Sequence, residues 1–253
     1  MIKILSVDHN NASSAGFYCV QNRKSPGHMA KAAWLKCAEN ESVVIKIAVN
    51  DLGKQLGYIE YMEAEKAWRP VTAPGYLFIQ CILVLSKDWR SKGVATMLVN
   101  ECIEAARAKD KRGVCVLCSD GPWIADKSLF AKCGFLKVAS QGRFDLMAIR
   151  FDDTAPQPAF NDWGTGLPKY KGWNLVYSDQ CPWHQKSVND LKQAATDHGI
   201  TLKIHKLETP AEAQMAPSGF GTFALINDGQ LLEDHYISRT RFDNILKKES
   251  GHE

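Results

Sequence analysis

The chain has 253 residues, 45% of them hydrophobic and 23% charged, which gives it the apolar content for two cores of ordinary size and excludes a disordered or fibrous protein. Its 31 basic and 28 acidic residues leave a formal charge of +3, too small and too evenly spread for a nucleic-acid or membrane-surface binder. No apolar run reaches the ~18 to 20 residues that span a bilayer, and the start Met1-Ile-Lys-Ile-Leu-Ser has no signal-peptide core, so a cytoplasmic location is expected.

Along the chain, Ala33, Trp34 and Cys37 give the stretch Ala30 to Glu39 helical spacing. Val43 to Val49 and Leu56 to Met62 read as strands joined by the hairpin signal Asn50-Asp-Leu-Gly53. A long buried strand, Tyr76 to Leu85, leads through a short loop to a helix with Val94, Leu98, Cys102 and Ala105 on one face. A strand at Gly113 to Cys118, a short helix ending at Gly134 and a last strand near Phe144 to Arg150 complete the first unit, residues 1–152. The fold class is α/β (α+β), a mixed sheet with helices on both faces.

Residues 153–172 carry three prolines and three glycines with little periodicity, which marks a linker able to hold its neighbours apart. A second unit, 173–253, reads as a strand at Trp173 to Tyr177, a helix from Pro182 to about His198 and strands at Thr201 to Leu207, Thr222 to Ile226 and Gln230 to Glu233. The turn Asn227-Asp-Gly229 joins the last two, and a helix near Ser238 to Lys248 closes the chain.

Of the eight cysteines, Cys81, Cys102, Cys115, Cys118 and Cys133 lie in apolar strands or helical segments and behave as small hydrophobes, in keeping with reduced thiols. Cys115-Val-Leu-Cys118 has CxxC spacing, but residues three apart on a strand face opposite ways and no second pair accompanies them. No metal site is expected.

The loop between the long strand and the helix reads Arg90-Ser-Lys-Gly-Val-Ala95. A strand, a glycine-bearing loop and a helix N-terminus in that order form an anion site, because the first N–H groups of a helix lack internal partners and carry its positive dipole end. The spacing is that of neither a dinucleotide fold nor a P-loop. It matches Arg/Gln-x-x-Gly-x-Gly/Ala, and with Leu129-Phe-Ala-Lys-Cys-Gly-Phe135 further on, the first unit resembles the GNAT acyltransferase superfamily; an ordinary βαβ crossover with a basic turn is the plainer alternative. The second unit opens with Cys181-Pro-Trp-His184 at a helix start and looks like a small thioredoxin-like domain. Together the two are similar to GNAT proteins of the YoaP type, whose likeness extends over Gly57-Tyr-Ile-Glu-Tyr61, Glu65-Lys-Ala-Trp-Arg-Pro70 and Gly121-Pro-Trp123.

The resemblance implies an N-acetyltransferase with acetyl-CoA as co-substrate and a small amine or amino-acid-like acceptor. Its pyrophosphate would lie on Arg90, Ser91, Lys92, Gly93, Val94, Ala95 and Thr96, with the thioester beside Val84 and Leu85. Many members place a tyrosine as general acid four residues before the glycine of the Gly-Phe turn; here that position is Phe130, which cannot donate a proton.

Catalytic candidates come from the strands that would line the acceptor groove. Glu60 stands in an apolar stretch, where a carboxylate must be paired or have a raised pKa. Gln80 would hold an acceptor or a water, and Cys81 is either a buried inert thiol or an acyl carrier. Glu63 and Arg69 are substrate contacts or a solvated hairpin end, and Trp68 and Trp123 are substrate walls or plain core. At a helix start the dipole should lower the pKa of Cys181. His184 replaces the resolving cysteine and Gly221 stands where a cis-proline is expected, so Cys181 is read either as part of a docking domain or as a reactive thiol. An acyl-CoA-binding thiol sensor is thus the alternative function.

Overall fold

In the computed structural model, which describes residues 2–8, 10–15, 17, 19–20, 22–37, 40–84, 88–89 and 92–249, the first unit runs β1 (Lys3–Val7), α1 (Ala12–Ala15), α2 (Pro26–Leu35), β2 (Val44–Val49), β3 (Gln55–Glu63), β4 (Val71–Thr72), β5 (Tyr76–Leu83), α3 (Val94–Ala108), β6 (Gly113–Ser119), α4 (Lys127–Lys132), β7 (Leu136–Gln141) and β8 (Phe144–Arg150). After β9 (Ala159–Phe160) come β10 (Trp173–Tyr177), α5 (His184–Asp197), β11 (Leu202–Lys206), α6 (Pro210–Gln214), β12 (Phe223–Asn227), β13 (Gln230–Glu233) and α7 (Arg239–Glu249).

The main sheet has seven strands in the order β1-β2-β3-β5-β6-β8-β7. Only β5 and β6 pair in parallel, with α3 as their crossover. Two of these strands, β1 and β7, escape the periodicity reading, and they are the two edges. An edge strand keeps more of its surface in solvent, so it carries less of the apolar run by which strands are read.

The sheet is covered on both faces. On one side Leu98, Val99 and Cys102 of α3 and Phe130 of α4 pack with Leu77, Ile79 and Val116. On the other, Trp34 and Leu35 of α2 cover Ile45, Ile47 and Tyr58. Beside α2, one continuous apolar cluster runs from Phe78, Leu117 and Leu146 of the sheet to Leu175, Val188 and Phe220 of the C-terminal unit. That unit therefore serves as the second layer over β5, β6 and β8. Cys115 faces it while Cys118 faces the α3 side, as strand alternation requires.

Residues 153–172 do not hold the two units apart. Tyr76 Oη donates to the Pro156 carbonyl at 2.8 Å, Gln157 Nε2 donates to the Val138 carbonyl at 2.9 Å, and β9 pairs with β4. Asn161 Nδ2 donates to the Gln214 carbonyl of the second unit at 3.1 Å, so the prolines and glycines hide a strap that borrows its partners from both neighbours.

The smaller sheet has the order β11-β10-β12-β13, with β10 parallel to β11 and the other pairings antiparallel. Asp228 and Gly229 both have positive φ, at 45° and 82°, which makes the β12–β13 turn a two-residue hairpin of the primed kind. Helix α6, which apolar periodicity misses, rests on a capping box: Thr209 accepts from Glu212 N–H while the Glu212 carboxylate accepts from Thr209 N–H.

Candidate active site

The parallel pairing of β5 with β6 ends at Ile79 and Val116, although β5 continues to Leu83 and β6 to Ser119. The cause lies on the other side of β5. Against β3, Tyr61 pairs with Ile79 and Glu60 with Cys81, so Gln80 is an extra residue that makes a β-bulge. A bulge bends its strand and sharpens the twist; here it swings the C-terminal half of β5 away from β6 and opens a fork. Gln80 is held inside it, accepting from Trp68 N–H at 3.2 Å and donating to the Trp68 carbonyl at 3.4 Å.

Helix α3 begins beside this fork. Gly93 is its N-cap with φ 77°, and a Cβ placed there would meet no atom of the described residues within 4 Å. A side chain at Gly57 on β3 would strike Val94 Cγ1 at 2.9 Å, so the glycine lets α3 lie close on the sheet. Val94 is buried, Lys92 and Gly93 are exposed, and Ala95 and Thr96 are half-buried in the first helical turn. Val84 directly follows β5. Leu85, Arg90 and Ser91 lie outside the described residues.

The fork opens into a cavity of about 390 Å³ walled by both units: Gln80, Cys81 and Ile82 of β5 face Cys181, Trp183 and Tyr236 across it. Docking here is tight. A Cβ on Gly27 of α2 would overlap the Pro182 carbonyl oxygen at 1.8 Å. Gly221, where a cis-proline was expected, has φ 78° and lies so near Trp68 that a Cβ would sit 2.7 Å from its carbonyl oxygen. Glycine serves there because the loop is pressed against the first unit's backbone, and the edge that bears Cys181 is turned toward the fork.

Glu60 is fully buried and takes hydrogen bonds from Tyr58 Oη, from Lys31 Nζ at 2.5 Å and from Gln180 Nε2 at 2.9 Å. Its carboxylate is thus the centre of an ion pair that ties α2, β3 and the C-terminal unit together. Arg69 is buried, lines the cavity and donates to the Phe220 carbonyl. Trp123, exposed and stacked against Tyr236 at 4.4 Å, stands at the cavity rim.

Glu63 and Trp68 are not brought to the cavity. Glu63 pairs with Lys111 at 2.7 Å on the surface, and that bond holds it below the usual carboxylate range. Trp68 is core, donating from Nε1 to Asn40 at 2.9 Å and lying edge-on to Trp34. Phe130 is also fully buried, edge-on to Phe135, and plugs the α4 side of the sheet. Lys31, Cys19, Gln180 and Tyr236 line the cavity without having been singled out in the sequence. Of these only Lys31 carries a local signal, a cation within the apolar helix face of Ala30 to Trp34.

Three thiols, Cys19, Cys81 and Cys181, open on this cavity. Burial pushes Cys81 up to about 12 and raises Cys19 well above the ordinary value. Cys181 is raised too, since burial outweighs the hydrogen bond from Trp183 N–H and the charges of Lys31 and Arg69. The expected lowering at a helix start does not occur, because α5 begins only at His184, beyond Cys181. His184 is buried with Nδ1 2.8 Å from the Ser178 carbonyl, and burial lowers its pKa to about 4. A neutral imidazole there cannot stabilise a thiolate.

Comparison with known proteins agrees with this architecture. Residues 15–135 match the acetyltransferase (GNAT) family and residues 201–244 match the YoaP-like family. The chain is 28% identical over 248 residues to the uncharacterized N-acetyltransferase YoaP of Bacillus subtilis (strain 168), covering 96% of this chain and 97% of that one. Among solved structures, an IAA acetyltransferase from Bacillus cereus ATCC 14579 is 14% identical with a TM-score of 0.42, over 60% of this chain and 100% of that one. A GNAT family acetyltransferase from Brucella melitensis, in complex with acetyl-CoA, is 18% identical with a TM-score of 0.39, over 64% of this chain and 96% of that one. The chain thus carries an acetyltransferase (GNAT) domain joined to a YoaP-like C-terminal segment, and it is similar over almost its whole length to a protein built the same way.

Proposed function

We propose that the protein transfers the acetyl group of acetyl-CoA to the amine of a small acceptor by direct attack on the thioester. The observation that carries this reading is the fork between β5 and β6, which has the N-terminus of α3 on one side and the cavity shared by the two units on the other. Pyrophosphate on the α3 N-terminus, with Lys92 adding charge, would direct the thioester into the fork along β5 beyond Ile79, where its pairing with β6 ends. There a strand N–H can stabilise the oxyanion as the amine nitrogen adds to the carbonyl carbon. The C–S bond then breaks and one amine proton passes to the departing thiolate, the other staying as the amide N–H; an acceptor that arrives as an ammonium ion first gives its extra proton to solvent. Direct transfer is favoured over an acyl-cysteine because burial keeps both Cys81 and Cys181 protonated at neutral pH.

The test is calorimetric titration with acetyl-CoA, followed by measurement of CoA thiol release in the presence of a panel of primary amines. Saturable binding and amine-dependent release are expected. No binding of acetyl-CoA would end the proposal.

A further inference from the structure

Two cations line the cavity between the units, and they are answered differently. Lys31 meets Glu60 at 2.5 Å and lies 4.3 Å from the Trp34 ring centre. Arg69 has no carboxylate partner among the described residues. It is only 6% exposed, gives Nη1 to the Phe220 carbonyl and lies over the Phe220 ring at 4.3 Å. A guanidinium carries five N–H donors in a planar fork, and one backbone oxygen leaves most of them to the cavity. Burial lowers its pKa to about 10, which still leaves it charged at neutral pH.

A buried cation without a counter-charge is costly in a closed protein and is the arrangement to expect where an anionic ligand completes the pair. The fork geometry of arginine suits a carboxylate, which it can hold through two parallel bonds. The rest of the wall is apolar, with Ile82, Ile124, Trp183, Phe220 and Tyr236, and the volume of about 390 Å³ falls within the roughly 300–1,000 Å³ of small-molecule sites. We propose that Arg69 binds the carboxylate of the acetyl acceptor, and that the acceptor is an amino carboxylic acid with an apolar side chain.

The proposal rests on the acetyltransferase reading and adds a role for the C-terminal unit. The Phe220 carbonyl and ring fix the plane of the guanidinium, and Gly221 presses the same loop onto the backbone at Trp68 and Arg69. The added domain thus orients the group that reads the substrate and closes the pocket over its side chain.

The experiment measures CoA release from acetyl-CoA with L-leucine, L-methionine and L-phenylalanine, each beside its amide and its decarboxylated amine. At least one acid is expected to show kcat/KM tenfold or more above its amide and its amine. Arg69→Gln should raise KM for that acid at least tenfold while acetyl-CoA still binds, and Arg69→Lys should restore part of the loss. If Arg69→Gln fails to fold, the comparison of acid with amide in the unaltered protein decides alone. Amides or amines accepted as well as acids, or an unchanged KM in Arg69→Gln, would overturn the proposal. Acetyl-CoA binding with none of the acids accepted would overturn it and leave the acetyltransferase reading standing; no acetyl-CoA binding would overturn both.

Discussion

Gln180 of the C-terminal unit donates a hydrogen bond of 2.9 Å to Glu60 on β3, and the same carboxylate neutralises Lys31 of α2. One buried group therefore holds three parts of the chain around the cavity. This explains why Glu60, which from sequence is a candidate base, sits among donors: its lone pairs are engaged by Tyr58, Lys31 and Gln180.

Removing that carboxylate should destabilise the fold. With side chains 1% and 0% exposed, Glu60→Ala leaves Lys31 buried and unpaired, which costs about 3–5 kcal/mol. Urea unfolding is expected to show a loss of that size, partly recovered by adding Lys31→Met. A loss below about 1 kcal/mol would show that the pair contributes little.

Gly93→Glu should separate folding from donor binding. A Cβ at this position meets no atom of the described residues within 4 Å, so the domain should fold, with a strain of about 1–2 kcal/mol from the positive φ. The new carboxylate would stand where the helix N-terminus attracts phosphate. Calorimetry is expected to show at least a tenfold weaker acetyl-CoA interaction, with a circular dichroism spectrum like that of the unaltered protein.

Thiol chemistry at the cavity should be slow at neutral pH. Because burial raises both Cys81 and Cys181, the reactive thiolate is scarcer at pH 7 than in a free thiol of pKa ~8.5. Iodoacetamide labelling resolved by peptide mass should give Cys181 a midpoint above that value. A midpoint below it would revive the thiol-sensor reading.

The acid limb of stability should report the contact between Arg143, in the β7–β8 hairpin, and Asp234, just after β13. Arg143 Nε and Nη2 meet the two Asp234 oxygens at 2.7 and 2.8 Å. Burial alone would raise Asp234, but its bonds to His235 and Arg143 win and bring it to about 2. A carboxyl depressed in the folded state contributes stability that is full above the unfolded value of ~3.9 and is lost as pH falls through the folded value. Denaturant unfolding between pH 2 and 6 should lose this contribution in that window, and Asp234→Asn should flatten that limb. An unchanged slope in Asp234→Asn would contradict the assignment.

The interior strands and the two principal motifs were legible in the sequence because each is a local signal. Leu56 to Met62 and Tyr76 to Leu85 are apolar runs, and Gly93 and Gly134 mark the ends of helices. Strands β1 and β7 were not, being edges, and β9 was hidden in a proline-rich strap. The cavity was legible only in pieces. Gln80, Cys81, Arg69, Trp123 and Cys181 were separate candidates, and what joins them is the folding of the C-terminal unit onto the bulged strand, a long-range event with no local trace. Trp68 shows the converse, since an aromatic side chain in the right segment is as often core as wall.

A crystal of the full chain soaked with acetyl-CoA shows where the donor lies. Pyrophosphate is expected at the N-terminus of α3 and the acetyl group between Gln80–Leu83 of β5 and Leu117–Ser119 of β6, facing the cavity that contains Arg69 and Cys181. Acetyl-CoA density elsewhere, with the fork left empty, would contradict this placement.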